Sequence, residues 1–299
     1  MSQKPSEITG FSTLLEQGER LLQKLAQLLP PVPVATDWST SAFRWMPSAN
    51  RPGHGHLESI PQPHQIGLDD LLGQDRPKQA LLRNTQQFLA GQPANHALLW
   101  GPRGTGKSSL IKALLTEFAS QGLRIIEVDK SHLVDLAAIA AAISERRENF
   151  ILFCDDLAFD AGDPAYRPLK VALDGSLNGP RPNLLIYATS NRRHLLPEYM
   201  QDNEATSHQG TEIHFSETVE ETISLSERFG LWLSFHAFDQ DQYLAAVEHW
   251  LTRLNGYPET KEWPACRELA LRWALQRGSR SGRSAHQFAR DYTGRNALP

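Results

Sequence analysis

Five short apolar runs divide the middle of the chain: His96–Trp100, Leu123–Val128, Phe150–Cys154, Leu184–Ala188 and Leu231–Phe235. Between the earlier runs lie segments with helical spacing, at Lys107–Ala119, Leu133–Arg147 and Tyr166–Leu177. Continuous apolar strands alternating with helices predict a parallel sheet covered on both faces. After Asp239 the strand signal stops, and Gln240–Leu254, Ala265–Gln276 and Ser284–Tyr292 read as helices of a small separate domain. Before the first strand, LDDLLGQDRPKQALLRNTQQFLAG reads as a turn at Gly73 followed by a helix.

The ends of this pattern are less regular. Phe11–Leu29 places leucines at 14, 15, 21, 22, 25, 28 and 29, a helical stripe that Pro30–Pro33 ends. Trp38–His64 has four prolines and no clear period, and reads as a linker. Asp202–Glu212 is polar throughout and reads as a mobile loop. The expected organisation is an N-terminal helix and Pro-rich linker over 1–64, an α/β domain over 65–238 and a small helical domain over 239–299.

Composition narrows the setting. A chain of 299 residues can bury a sizeable core, and its net charge of −4 argues against a generally basic coat for nucleic acid, though not against a local basic groove. Two cysteines, Cys154 and Cys266, build no disulfide framework. The start MSQKPSEITG has no basic-then-apolar signal pattern, and the longest apolar-rich run, Leu133–Ile143, is too short for a membrane span and contains Asp135. A soluble, cytoplasmic, reducing setting is expected. His54, His56 and His64 lack a fourth ligand at useful spacing and read as loop residues rather than a metal site.

The chemistry starts at LLWGPRGTGKSSL, Leu98–Leu110. Here G-x-x-x-x-G-K-[ST] is matched in full between a strand and a helix. Gly101, Gly104 and Gly106 let the backbone bend until successive N–H groups point inward, an anion nest at a helix N-terminus. Gly101, Pro102, Arg103, Gly104, Thr105, Gly106, Lys107, Ser108 and Ser109 are therefore the candidate ATP contacts. Lys107 would reach the β- and γ-phosphates, and the Ser108 hydroxyl would ligate Mg²⁺. FILFCDD supplies the second half, five apolar residues and then two acids. Asp155 would hold Mg²⁺ through water, and Asp156 would polarise the attacking water. Capping of the next segment is the simpler role for both acids, and their position downstream of the glycine loop argues against it.

With these motifs the chain resembles the AAA+ ATPases, and more closely a bacterial AAA+ family known only as a domain of unknown function. The resemblance covers about Ile66–Gly294 and implies a P-loop NTPase three-layer α/β sandwich with strand order 5-1-4-3-2 and a small α-helical lid. DLLGQDRPKQAL (Asp70–Leu81) is similar to the segment beside the adenine. YATSNRRHL (Tyr187–Leu195) resembles the sensor 1 strand, which implies Asn191 beside the γ-phosphate and attacking water. LSERFG (Leu225–Gly230) resembles the motif whose arginine, here Arg228, reaches a neighbouring subunit's nucleotide. RSGRSAHQF (Arg280–Phe288) resembles sensor 2, with Arg283 reaching back from the lid. Many AAA+ proteins carry Asp-Glu where this chain has Asp155–Asp156. Bacterial replication initiators share the Asp-Asp pair, so hydrolysis is expected but slow.

The resemblance implies an ATP- and Mg²⁺-dependent homo-oligomer that remodels a protein or nucleic-acid client, with no membrane span. The competing reading is a nucleotide-dependent binding or loader module that hydrolyses little. A metabolic kinase ranks third, because the helical lid argues against it. Arg192 and Arg193 suit phosphate, DNA, a partner subunit or a solvated turn equally well. The lid run Arg277, Arg280, Arg283, Arg290 and Arg295 is locally basic, which nucleic-acid contact or helix-end charge would each explain. Trp232, Trp250 and Trp273 are expected in the core.

Overall fold

The computed structural model describes residues 17–18, 20, 36–48, 51, 53–159, 166–174, 183–193, 195, 208–209, 212–213 and 225–297. The chain divides into two compact units, Met1–Thr36 and Asp37–Pro299. The helix expected over Phe11–Leu29 lies almost wholly outside the described residues, as does most of the loop expected over Asp202–Glu212.

The second unit is built on a seven-stranded sheet. Its strands are β1 (Ala42–Pro47), β2 (Gly55–Ser59), β3 (Ala97–Trp100), β4 (Leu123–Glu127), β5 (Asn149–Cys154), β6 (Leu184–Ser190) and β9 (Leu231–Ser234). A separate two-residue ladder pairs β7 (His208–Gln209) with β8 (Glu212–Ile213). The sheet order is β2-β1-β4-β5-β6-β3-β9. The five strands β4-β5-β6-β3-β9 are parallel neighbours and reproduce the expected 5-1-4-3-2 order. Their residues alternate between two cores. Leu98, Ile126, Leu152 and Ile186 face one side, with Leu136, Ile139 and Leu169 from helices packed there. Leu99, Ile125, Ile151 and Tyr187 face the other, against Leu81, Phe88, Leu110 and Leu114. Both faces are covered, which is why these strands read as unbroken apolar runs.

The linker reading of Trp38–His64 is corrected. Ala42–Pro47 and Gly55–Ser59 instead pair as antiparallel strands, and the first runs parallel to β4, with Phe43 opposite Ile126. Phe43, Trp45 and Leu57 are buried in the first core. Trp45 Nε1 donates to the buried carboxylate of Asp135 at 2.9 Å, and Gly53 N–H donates to its other oxygen at 3.1 Å. The hairpin is thus tied to the sheet by packing and by a satisfied buried charge.

The helices follow the expected spacing, except that the helix expected over Leu133–Arg147 is α-helical only over Leu136–Ala142, after a 3-10 segment at Lys130–Asp135. They are α1 (Asp75–Leu89), α2 (Lys107–Phe118), α3 (Leu136–Ala142), α4 (Tyr166–Asp174), α5 (Gln240–Arg253), α6 (Trp263–Gln276) and α7 (Gly282–Asn296). The last three enclose a core of their own, with Tyr243, Val247, Leu251, Ala270, Ala274, Ala285, Phe288 and Ala289 buried. Alanines at the contacts let the helix backbones approach closely. The starts of α5 and α7 are fixed locally. The Asp239 carboxylate accepts from Gln242 N–H at 2.8 Å in a capping box, and Ser281 Oγ accepts from Ser284 N–H at 3.2 Å.

Candidate nucleotide site

The ends of β3, β5 and β6 meet the first turn of α2 and the start of α7 around a cavity of about 510 Å³. Crevices outside the carboxyl ends of parallel strands are the usual ligand sites of such sheets. Gly101, Gly104 and Gly106 have φ of 140°, 80° and 100°, a region that side chains rarely adopt. A Cβ on Gly101 would sit 2.1 Å from Phe235 O, so the turn also needs glycine for space.

This bend leaves donors over. Among the described residues, the backbone N–H groups of Gly104, Gly106, Lys107 and Ser108 have no backbone acceptor. Such groups at the N-terminus of one helix form a cradle for an anion. Lys107 lies back along the loop, its ammonium donating to Gly101 O at 2.7 Å, Pro102 O at 2.8 Å and Asn191 Oδ1 at 3.1 Å. Burial holds this ammonium below its usual range, while Asp156 and Asp155 pull the other way. Thr105 is buried with its hydroxyl donating to Pro102 O at 2.9 Å, which fixes the loop internally.

The acids sit opposite. Ser108 Oγ donates to Asp155 Oδ1 at 2.5 Å. The same oxygen accepts from Thr189 Oγ1 at 2.6 Å and from Asp156 N–H at 3.1 Å. A serine hydroxyl beside a held carboxylate is a donor set suited to Mg²⁺, a hard cation that prefers oxygen. Asp156 stands apart, with φ of 51°. Its backbone is fixed by Thr189, whose hydroxyl accepts the Asp156 N–H at 2.9 Å and whose carbonyl accepts the Leu157 N–H at 2.7 Å. Asp tolerates this left-handed geometry better than Glu does, a physical reason for Asp-Asp in this chain. The Asp156 carboxylate accepts from Asn191 Nδ2 and lies 3.5 Å from Arg103 Nη2.

Most of the expected residues therefore converge. Arg103, Gly104, Thr105, Gly106, Lys107, Ser108, Ser109, Asp155, Asp156, Asn191 and Arg283 line one cavity. Gly101 and Pro102 contribute through their carbonyls. Arg228 is not among the lining residues. Its Nε donates to Asp174 Oδ1 at 2.6 Å, rather than pairing with its neighbour Glu227. Arg193 lies over the Trp100 ring at 5.6 Å. Cys154, next to Asp155, is buried, which pushes its thiol up to about 12 and leaves it inert.

Three features escaped the sequence reading. Thr189 organises both acids, and its signal was a hydroxyl at the end of an otherwise apolar strand. Trp250 packs against the lid core as expected but also lines the cavity beside His286, with ring centroids 4.3 Å apart, and Ile66 together with Leu71 and Leu72 of the expected adenine-side segment continue this apolar end. Asp70 joins the segment before α1 to the lid, accepting from Gly67 N–H at 3.1 Å and meeting His249 Nε2 at 3.0 Å and Arg253 Nη1 at 3.3 Å.

Known proteins carry the same framework. Over 82 residues the chain is 30% identical to a replication factor C large subunit of Ignicoccus hospitalis, covering 27% of this chain and 17% of that protein. Over 65 residues it is 38% identical to the corresponding subunit of Staphylothermus marinus, covering 21% and 15%. The chain thus matches less than a fifth of either relative's length. Among solved structures it is similar to the Thermotoga maritima RuvB Holliday junction branch migration motor, with a TM-score of 0.50, 18% identity and 75% of this chain and 63% of that one covered. It is also similar to the Aeropyrum pernix ORC1 protein in complex with DNA, with a TM-score of 0.51, 17% identity and 76% and 62% covered. At these identities the structures speak for the fold. A family model described as "Protein of unknown function (DUF815)" matches residues 39–296, starting at the hairpin rather than at Ile66. Sheet order, glycine loop and paired acids give that match its physical content, and the chain belongs to this family of proteins of unknown function, with a fold similar to those of RuvB and ORC1.

Proposed function

We propose that the protein binds Mg-ATP in this cavity and hydrolyses it to ADP and phosphate, coupling the cycle to the remodelling of a protein or nucleic-acid client. The observation that carries the reading is the set of loop N–H donors without backbone acceptors, lining the same cavity as the Ser108–Asp155 pair. The donors would bind phosphate oxygens, with Lys107 turning from the loop carbonyls to the β- and γ-phosphates. Ser108 and Asp155 would hold Mg²⁺, which when bound neutralises charge on the phosphates. Asp156 would accept the proton of the attacking water, and Asn191, bonded to both Lys107 and Asp156, would orient that water. Arg283 would reach the phosphates from the lid. The apolar end at Trp250, Leu71 and Leu72 would take the base.

Arg228 would act on the nucleotide of a neighbouring copy, which makes the working form an oligomer. This reading is supported by its position outside its own cavity and by the Asp174 contact that holds it. Two fold relatives are a Holliday junction branch migration motor and an ORC1 protein in complex with DNA, which favours nucleic acid as the client. No helix among the described residues is long and apolar enough to cross a membrane.

Steady-state phosphate release, measured with and without DNA, tests the function. ATP-dependent release that depends on Asp156 supports it. Tight ATP binding without release would instead favour a loader module that uses ATP as a conformational ligand.

A further inference from the structure

The lid carries a group of arginines of which the nucleotide site uses only Arg283. On α7, residues 283, 287 and 290 fall at i, i+4 and i+7 and are exposed, while Ser284, Ala285, Phe288 and Ala289 on the other side are buried. Arg283 and Arg290 therefore stand on one solvent face, about 10 Å apart at 1.5 Å per residue. Gln287 lies between them, and its Oε1 accepts from Arg277 Nη1 at 3.3 Å. That bond brings the end of α6 into the same stripe. The Arg277 guanidinium is stacked 4.1 Å from the centre of the Trp273 ring, which holds its plane fixed. Arg280, also exposed, sits in the connection between the two helices.

These cations lack counter-charges. Some arginines elsewhere meet acids, as in Arg44 with Glu127, Arg146 with Glu148, and Arg272 with Glu268, while the scattered Arg76, Arg83 and Arg192 do not; the lid differs in gathering several such arginines together. Among the described residues Arg277, Arg280, Arg283 and Arg290 form no ion pair. The two acids close in sequence, Glu268 and Asp291, are engaged with Arg272 and Arg295. The imidazole of His286, one turn before Arg290, has its proton affinity lowered by burial and then by Arg290, as expected beside an uncompensated charge. A structural role accounts for part of this. Arg277 follows the C-terminus of α6, where a cation is favoured. That account does not extend to Arg290, in the middle of α7 and without an acid partner.

We propose that Arg277, Arg280 and Arg290 form a nucleic-acid contact on the lid, binding the phosphodiester backbone without regard to base sequence. Residues 262–299 contain no lysine, so every cation of the stripe is a guanidinium. The planar fork of a guanidinium matches two phosphate oxygens at once, whereas a lysine acts as a point charge. A stripe of forks spaced along a helix suits a regularly repeating polyanion better than it suits scattered carboxylates. The inner end of the stripe is Arg283, which lines the nucleotide cavity. A strand lying along it would therefore touch the lid that closes on ATP. This names the class of the client in the function proposed above, and it stands or falls separately from hydrolysis.

The test uses the full chain and fluorescence anisotropy with a labelled mixed-sequence oligonucleotide, single-stranded and duplex, at ~50 mM salt, where backbone contacts are strong. The double variant Arg277→Glu/Arg290→Glu should weaken binding at least ~10-fold and make the dependence of log K on log salt shallower by roughly 1.5, as for two lost phosphate contacts. Arg44→Glu/Arg51→Glu, an equal charge change on the hairpin, should have a small effect. Because Arg277 packs on Trp273, Arg290→Glu alone is the second variant, with Arg290→Lys expected to retain part of the affinity. The same measurements in a Lys107→Ala background, where ATP chemistry is removed, should give the same ratios. Equal losses in the stripe and hairpin variants would overturn the proposal, as would a parent protein that does not bind either oligonucleotide. So would polyglutamate competing as well as the oligonucleotide per unit charge, which would make the stripe a site for acidic protein.

Discussion

Lys107 Nζ donates to Asn191 Oδ1 at 3.1 Å, and the amide of the same Asn191 donates to Asp156. One side chain thus links the cation meant for the phosphates to the acid meant for the water. Lys107→Ala should remove the cation and leave the fold intact. A hydrogen-bonded charge is worth roughly 1.5–3 kcal/mol, so ATP affinity should fall by about 10- to 100-fold. Calorimetric titration of both proteins checks this, and equal affinities would defeat the assignment.

The two acids should separate by function. Asp155→Asn should weaken Mg²⁺-dependent nucleotide binding, because Asp155 Oδ1 is the atom facing Ser108. Asp156→Asn should bind ATP normally and lose about 10²–10⁴ in turnover, the range for a positioned base. Asn also tolerates the left-handed backbone at 156, so the substitution tests chemistry and not folding. Parental turnover in Asp156→Asn would remove it from the mechanism.

Association should raise activity per subunit if Arg228 serves a neighbouring site. Arg228→Ala should abolish that rise, an effect of ~10³-fold or more for a trans-acting arginine, with ATP binding retained. Asp174→Ala should lower the rate less, because the charge remains and only its orientation is lost. Mixing Arg228→Ala with Lys107→Ala should restore activity, since one subunit brings the loop and the other the arginine. An inactive mixture, with light scattering showing an oligomer, would refute action across subunits.

Acid should destabilise the fold partly through His96. Its Nδ1 accepts from Ile186 N–H at 3.0 Å, and burial lowers its pKa from 6.5 to about 4. The unfolded chain binds the proton first as pH falls. The neutral ring's contribution is therefore complete above pH 6.5 and is lost as pH drops towards about 4. At 1.36 kcal/mol per unit its size is at most about 3 kcal/mol. His96→Gln keeps an acceptor and does not titrate, so urea midpoints should fall less between neutral and acid pH than in the parent. Parallel curves would remove His96 as the cause.

Much of this architecture was legible because the signals are local. The glycine loop and the Asp155–Asp156 pair each lie in one contiguous stretch, and five buried strands need no partner to be recognised. The hairpin was missed for the opposite reason. Pro47 and the prolines around it break the period of two, and its strand character depends on β4, with Phe43 pairing to Ile126. Asp70 and Asp174 were missed in the same way. Their partners His249 and Arg228 lie 179 and 54 residues away, and nothing short-range marks such pairs. Trp250 looked like a core residue because an aromatic at helical spacing reads the same whether it faces a core or a ligand cavity.

The glycine loop also touches the lid through main chain alone. Arg283 N–H donates to Gly104 O at 3.2 Å, and a Cβ on Gly104 would come within 2.8 Å of Ser281 Oγ, the cap of α7. Any rotation of the Gly104 peptide on phosphate entry must therefore be felt at the first turn of α7. Such a coupling is invisible to alanine scanning of the lid, because no side chain carries the Arg283 bond. Its weak point is a missing atom: Gly104→Ala would drive a methyl wedge between loop and lid and should uncouple the proposed ATP binding from any movement of α7.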